Sequence, residues 1–154
     1  MRAKLGLREA RTDDRALAAR LLELMAASGV DYTNLFRDLA DVRSDGEPGL
    51  GRLRDRFVDR AAFDAWLSDY RARLRGEGGD DRERRVTMHG VNPRYILRNY
   101  LAQQAIDQAE QGDFSEVERL SALLSRPYDE QPEQAAYAAE PPDWGRGLEI
   151  SCSS

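Results

Sequence analysis

The sequence predicts an all-α protein, a multi-helix region followed by an extended acidic tail. Three observations carry that expectation. Apolar residues recur at three- and four-residue spacing in segment after segment. Most of these segments are bounded by a helix start or stop signal. No stretch alternates apolar and polar residues as a half-buried strand requires; "LEIS" near the end comes nearest. The 154 residues are enough to bury a real core.

Taken in order, Thr12 is placed to cap "DDRALAARLLELMAASG", in which Leu17, Leu21, Leu24 and Met25 share a face and Gly29 suits the stop. "DYTNLFRDLADV" sets Tyr32, Leu35, Phe36, Leu39 and Val42 on one stripe. "RSDGEPGLG" reads as a loop from its Gly and Pro content. "LRDRFVDRAAFDAWLSDYRARLRG" gives a short helical piece and then a strong helix with Phe63, Trp66, Leu67, Tyr70 and Leu74 inward. "GEGGDD" is a second loop.

"VNPRYILRNYLAQQAIDQAEQGD" carries a start signal at Asn92, with Pro93 as first helical residue, where its missing N–H costs nothing. Leu97, Tyr100, Leu101 and Ala105 form its expected inner stripe, and Gly112 its end. Gly90 in "TMHGVNP" predicts a break before Asn92, since glycine weakens a helix by ~1 kcal/mol relative to alanine. Ser115 and Glu118 have the spacing of a capping box for "SEVERLSALLS", whose apolar face is Val117, Leu120, Leu123 and Leu124.

The expected division is a helical body over 1–127 and a tail over 128–154. The tail is rich in Pro and acids and by composition alone reads as disordered. It nevertheless holds Tyr128, Tyr137, Trp144, Leu148 and Ile150, which suggests an extended strap docking on the body. Six acids and one base lie in it, which accounts for the whole formal charge of −5 and leaves a neutral body. A neutral body with an acidic tail lacks the basic face that nucleic-acid binding needs. No apolar run is long enough to span a bilayer, and "MRAKLGLREARTDD" has no apolar stretch of a secretory signal. A single cysteine forms no intrachain disulfide and fits the reducing cytoplasm.

Candidate chemistry is sparse, and the residues nominate no catalytic, cofactor-binding or metal-binding group. His89 is the one histidine and reads as an ordinary surface or helix-end residue. Asp13–Asp14 and Asp80–Asp81 sit where helices begin, where the helix dipole favours acids, so they are not taken as metal ligands. Phe63, Trp66 and Tyr70 read as core. Arg98 and Asn99 suit either an anion clamp or a structural pairing with the acidic tail, with the pairing favoured. Cys152 lies third from the C-terminus. From spacing alone it is either inert or a thiol that pairs outside this chain.

Several motifs then fall together. "NPRYILRNYLAQQAI", "GDFSEVERL", "RPYDEQP" and "PPDWGRGLEISCSS" resemble, in that order, the C-terminal end of the YdiU/selenoprotein O family. "MRAKLGL", "DYTNLFRDL" and "DRAAFDAWLSDYRARL" resemble the segments before it. The resemblance covers essentially the whole chain, and its most specific piece is the ending, where the family commonly carries cysteine or selenocysteine at the place of Cys152. The family's proteins are about three times longer, kinase-like in fold, and act as protein adenylyltransferases that move AMP from ATP to Ser, Thr or Tyr of protein substrates with divalent metal.

The resemblance implies several expectations. The chain is the C-terminal portion of such an enzyme, with Met1 at an internal position of a longer parent. The nucleotide- and metal-binding residues lie upstream, so ATP and Mg²⁺ or Mn²⁺ belong to the parent and not to this chain alone. The partners are the upstream kinase-like lobe and protein substrates, and Cys152 is redox-active. The alternative is an independent helical interaction or regulatory module without enzymatic activity.

Overall fold

The computed structural model describes residues 1–45 and 51–149 of the chain. The described residues form helices and no strand. The chain folds as two compact units, Met1–Asn92 and Pro93–Ser154.

The first unit opens with a 3₁₀ turn, Arg2–Leu5, which ends at Gly6 in the left-handed region, φ 66°. No helical period or cap signal in "MRAKLGL" predicts this element. Yet Leu5 and Leu7 are buried in the main core. Helix α1 spans Asp14–Ser28 and stops, as its sequence predicts, at Gly29 with φ 63°. Its start lies one residue beyond the expected place. Asp13 occupies the cap position, and the side chain of Asp14 accepts the backbone N–H of Arg11 at 2.9 Å.

Helix α2 (Tyr32–Asp38) begins at Asp31, whose carboxylate accepts from Asn34 N at 2.8 Å, and runs into a 3₁₀ turn, Leu39–Asp41. Leu35, Phe36, Leu39 and Val42 are buried, whereas Tyr32 stays at the surface with Lys4 Nζ 5.5 Å from its ring centre. The loop expected after Val42 falls partly on residues 46–50, outside the described residues.

A short helix α3 (Gly51–Arg54) and the long α4 (Arg60–Glu77) follow, the latter capped by Asp59 on Ala62 N. Phe63, Trp66, Leu67, Tyr70 and Leu74 are all buried, as the spacing requires. Phe57, Phe63, Trp66 and Tyr70 stack in sequence, with ring centres 4.1, 5.9 and 5.1 Å apart. The polar atoms of this aromatic column are satisfied inside the core. Trp66 Nε1 donates to Leu17 O at 2.9 Å, and Tyr70 OH donates to Leu5 O at 2.8 Å. Helix α4 therefore fastens both α1 and the N-terminal turn.

Helix α5 (Asp81–His89) is set by Asp80, which accepts from the backbone N–H of Arg82 and Glu83. It packs on the N-terminal turn and on the turn after α2. His89 is its last residue.

The chain breaks after α5 as Gly90 predicts, but the break is longer than expected. Asn92 does not cap a helix. It is buried, donates from Nδ2 to Lys4 O at 3.0 Å, and its carbonyl accepts Arg37 Nη1 at 2.8 Å. An asparagine committed to those partners is not available as a helix cap.

In the second unit, Arg94 N and Tyr95 N both donate to Pro127 O, and α6 runs only from Asn99 to Ala109. Leu97, expected on the inner stripe, precedes the helix and is 54% exposed. Tyr100, Leu101 and Ala105 are buried as expected. Helix α7 (Ser115–Leu124) packs on α6 and buries Leu120 and Leu123. Its expected capping box is absent. Ser115 is already helical, and Asp113 accepts its N–H at 2.9 Å instead. Val117 accordingly faces out, 42% exposed.

Candidate functional site

Cys152, the one residue assigned a chemical role from sequence, lies outside the described residues, as does Ile150. What the structure describes is the strap that leads to it, from Tyr128 to Glu149. The strap is fastened along the α6–α7 pair by four sets of contacts.

The first is at Gln131. Its Nε2 donates to Leu123 O and Arg126 O, adding a second donor to carbonyls at and just beyond the end of α7, and its own carbonyl accepts Tyr95 OH at 2.9 Å. The second is a latch in the 3₁₀ turn Pro132–Ala138. Tyr137 OH donates to Glu116 Oε1 at 2.8 Å and accepts from Arg119 Nη1 at 3.3 Å. Arg119 also pairs with Glu116 Oε2 at 2.5 Å. Glu116 is only 7% exposed, so the latch holds a carboxylate that needs both partners. Burial holds the Tyr137 hydroxyl above its ordinary pKa. The adjacent Glu116 adds to this and Arg119 opposes it.

The third lies in the 3₁₀ turn Asp143–Gly145. Trp144 meets Tyr100 edge-on at 5.9 Å, and Gly145 lies so close that a Cβ there would stand 2.8 Å from Tyr100 Cβ. The fourth is Asn99 Nδ2, which donates to Leu148 O at 2.7 Å. Of the Arg98–Asn99 region, expected to pair with the tail, Asn99 thus reaches the tail at a backbone carbonyl. Arg98 itself is buried at the cap position of α6. Tyr137 and Leu148 pack on the core of this unit, and Trp144 keeps 58% of its surface exposed.

A separate ionic cluster closes the first unit. Arg73 Nε lies 2.6 Å from Asp14 Oδ1 and its Nη2 lies 2.7 Å from Glu77 Oε1. Glu77 also accepts the backbone N–H groups of Arg8 and Glu9, each at 3.0 Å. The hydrogen bond from Arg73 holds the Asp14 carboxyl below its ordinary pKa. For Glu77 burial opposes ionisation, but the two backbone donors and Arg73 outweigh it and the pKa is again lowered. Asp81 behaves alike. Burial is overcome by Ser44 N, Ser44 Oγ and Arg84. Arg84 in turn donates to Val42 O.

These acids bear on whether the described residues fit a nucleotide-bound metal. They do not. Among the described residues no three of His, Cys, Asp and Glu stand together as a metal set. Asp80 is spent on capping α5, while Asp14, Glu77 and Asp81 each face an arginine and backbone donors. His89 belongs to the end of α5, where its carbonyl accepts Arg37 Nη1 at 2.9 Å. No helix among the described residues is long and apolar enough to cross a membrane.

Two features escaped sequence reasoning. The Glu116–Arg119 spacing was legible as a helical i,i+3 pair, but Tyr137 joins it from 21 residues away. The Asp14–Arg73 pair spans 59 residues and leaves no local trace.

Comparison with known proteins supplies the larger frame. Residues 1–125 match the family model described as protein adenylyltransferase SelO. The whole chain aligns with "Protein nucleotidyltransferase YdiU" of Paraburkholderia xenovorans at 56% identity, of Stutzerimonas stutzeri at 54% and of Thioalkalivibrio sulfidiphilus at 60%. In each case it spans only 30–31% of the relative's length. Matched over most of its length by one family model and over all of it by these relatives, the chain belongs to the protein adenylyltransferase SelO family.

Proposed function

We propose that this chain is the C-terminal portion of a protein adenylyltransferase that transfers AMP from ATP to Ser, Thr or Tyr hydroxyls of protein substrates in the cytoplasm. The observation that carries this reading is the end-to-end alignment at 54–60% identity with nucleotidyltransferases more than three times as long. ATP and the divalent metal fall to the remaining portion of the longer protein. The acids described here are committed to arginines, caps and backbone donors, which agrees with that division of labour. By itself the chain supports the fold and presents Cys152.

The strap supports a redox role for Cys152 in this reading. It is fastened as far as Leu148, four residues before Cys152 in the sequence. Such a thiol reacts, as its thiolate, by attacking a disulfide sulfur, forming a mixed disulfide and releasing the other sulfur as a thiolate; this needs access and thiolate character more than rigid placement.

The test uses ATP labelled on its α-phosphate, Mg²⁺ or Mn²⁺ and a cell extract. It compares this chain with a full-length protein that carries it in place of a relative's matching segment. Label on proteins with the long form only is the expected result. Label with this chain alone overturns the assignment of chemistry to the other portion. For the thiol, Cys152→Ser in the long form is expected to abolish an oxidation-dependent change in activity and in mobility on non-reducing gels. Unchanged behaviour removes the redox role.

A further inference from the structure

An apolar groove of about 460 Å³ opens between the N-terminal turn and α1 in the first unit. Leu7 and Ala18 form its buried floor, and Met1 and Leu22, 46% and 37% exposed, stand at its walls. Its one acid, Asp14, is turned inward to Arg73. Arg2 and Arg15 lie along the same groove, both exposed. Most arginines of this unit are paired, among them Arg8, Arg20, Arg54, Arg56, Arg73 and Arg85. No ion-pair partner for Arg2 or Arg15 stands among the described residues. An apolar trough flanked by unpaired cations fits an amphipathic segment with apolar residues on one side and carboxylates at its edges.

We infer that this groove is the docking face for the segment that directly precedes the residue matching Met1 in the longer protein. The inference rests on the reading above, that this chain continues a longer one. Two observations select this occupant. Met1 is itself a groove residue, so a chain entering at Met1 enters at the groove, and docking there closes no long loop. The relatives carry about 70% of their length outside the matched segment, ample to supply such a segment. The charge pattern adds a composition: the docked segment brings acids to Arg2 and Arg15.

The test places a cysteine at the groove wall by Leu22→Cys and follows maleimide labelling, with residue 22 read by peptide mass spectrometry. It is done in the 154-residue chain and in the full-length protein, after each variant is shown to melt cooperatively. Labelling is expected to be fast in the chain and at least ~10-fold slower in the full-length protein. Charge reversal by Arg2→Glu with Arg15→Glu is expected to restore fast labelling in the full-length protein and to leave the chain unchanged.

Equal, fast labelling in both forms overturns the inference. So does slow labelling of the chain with a doubled mass, which assigns the groove to a second copy. AMP transfer by the same full-length preparation separates the two readings. Transfer with an open residue 22 sinks the groove assignment alone. A protected residue 22 without transfer sinks the proposed activity alone.

Discussion

Replacing Arg73 with methionine tests the ionic cluster that closes the first unit. The Arg73 side chain is 9% exposed and its two carboxylate partners, Asp14 and Glu77, are 13% and 4% exposed. Its Nη2 also donates to Glu9 O at 2.9 Å, so the guanidinium ties α4 to α1 and to the N-terminal segment at once. Removing one member of a well-buried ion pair costs about 3–5 kcal/mol, because the charge left behind is stranded. Here both carboxylates keep backbone donors, Asp14 from Arg11 N and Glu77 from Arg8 N and Glu9 N. The loss is therefore smaller, about 2–3 kcal/mol at pH 7. For a unit of this size that is a fall of roughly 10 °C or more in melting midpoint.

The pH dependence gives a second, independent reading. Asp14 and Glu77 both have folded pKa values below their ordinary 3.8 and 4.5. The stability they contribute is fully present above those ordinary values and is lost as pH falls through the lowered ones. The gap between parent and Arg73→Met is thus expected to be full at pH 7 and to shrink markedly by about pH 3. The assay is urea unfolding followed by fluorescence in a Trp144→Phe background, which leaves Trp66, in the core of the first unit, as the sole reporter. A loss within about 0.5 kcal/mol, the range of ordinary surface changes, would refute the reasoning. So would a gap that is the same at both pH values.

Gly6→Ala is expected to destabilise the first unit by ~2 kcal/mol or more in the same assay. Its φ is +66°, and a Cβ would stand 2.7 Å from both Arg84 Cγ and Met88 Sδ. Gly145→Ala is expected to spare the first unit and loosen the strap, because the new Cβ meets Tyr100 Cβ at 2.8 Å; faster limited proteolysis between residues 128 and 149 reads this out. Burial pushes the Tyr70 hydroxyl up to about 12, against the opposing influence of Arg84. A group raised in the folded state stabilises below its unfolded value near 10 and loses that contribution as pH rises toward 12. Tyr70→Phe is therefore expected to lose the hydrogen bond to Leu5 O at neutral pH and to flatten the alkaline fall in stability, measured by urea unfolding from pH 8 to 11.

The helices built on a strong apolar period were legible without coordinates. Helix α4 shows this best. Its Phe63, Trp66, Leu67, Tyr70 and Leu74 repeat at helical spacing, and all five are buried. Gly29 and Gly90 marked an end and a break correctly, since a chain needing positive φ or losing helical support does so at glycine. Start signals transferred less well. Asn92 and Ser115 have the right chemistry to cap, but Asn92 is drawn to Lys4 O, 88 residues away, and at Ser115 the neighbouring Asp113 takes the role. Local chemistry proposes a cap, and a distant partner decides whether the side chain is free to serve.

Composition and period by themselves determined that the chain is helical, that its charge lies in the tail, and that the tail carries docking hydrophobes. The motif order pointed to the family. Only the tertiary structure decided that the N-terminal turn belongs to the core, that Tyr137 closes on Glu116 and Arg119, and that Arg73 joins α1 to α4. The physical reason is the range of the forces. Helical period and glycine conformation act between near neighbours and are written in adjacent letters. Buried ion pairs, and hydrogen bonds to carbonyls tens of residues away, form only once packing has brought their partners together.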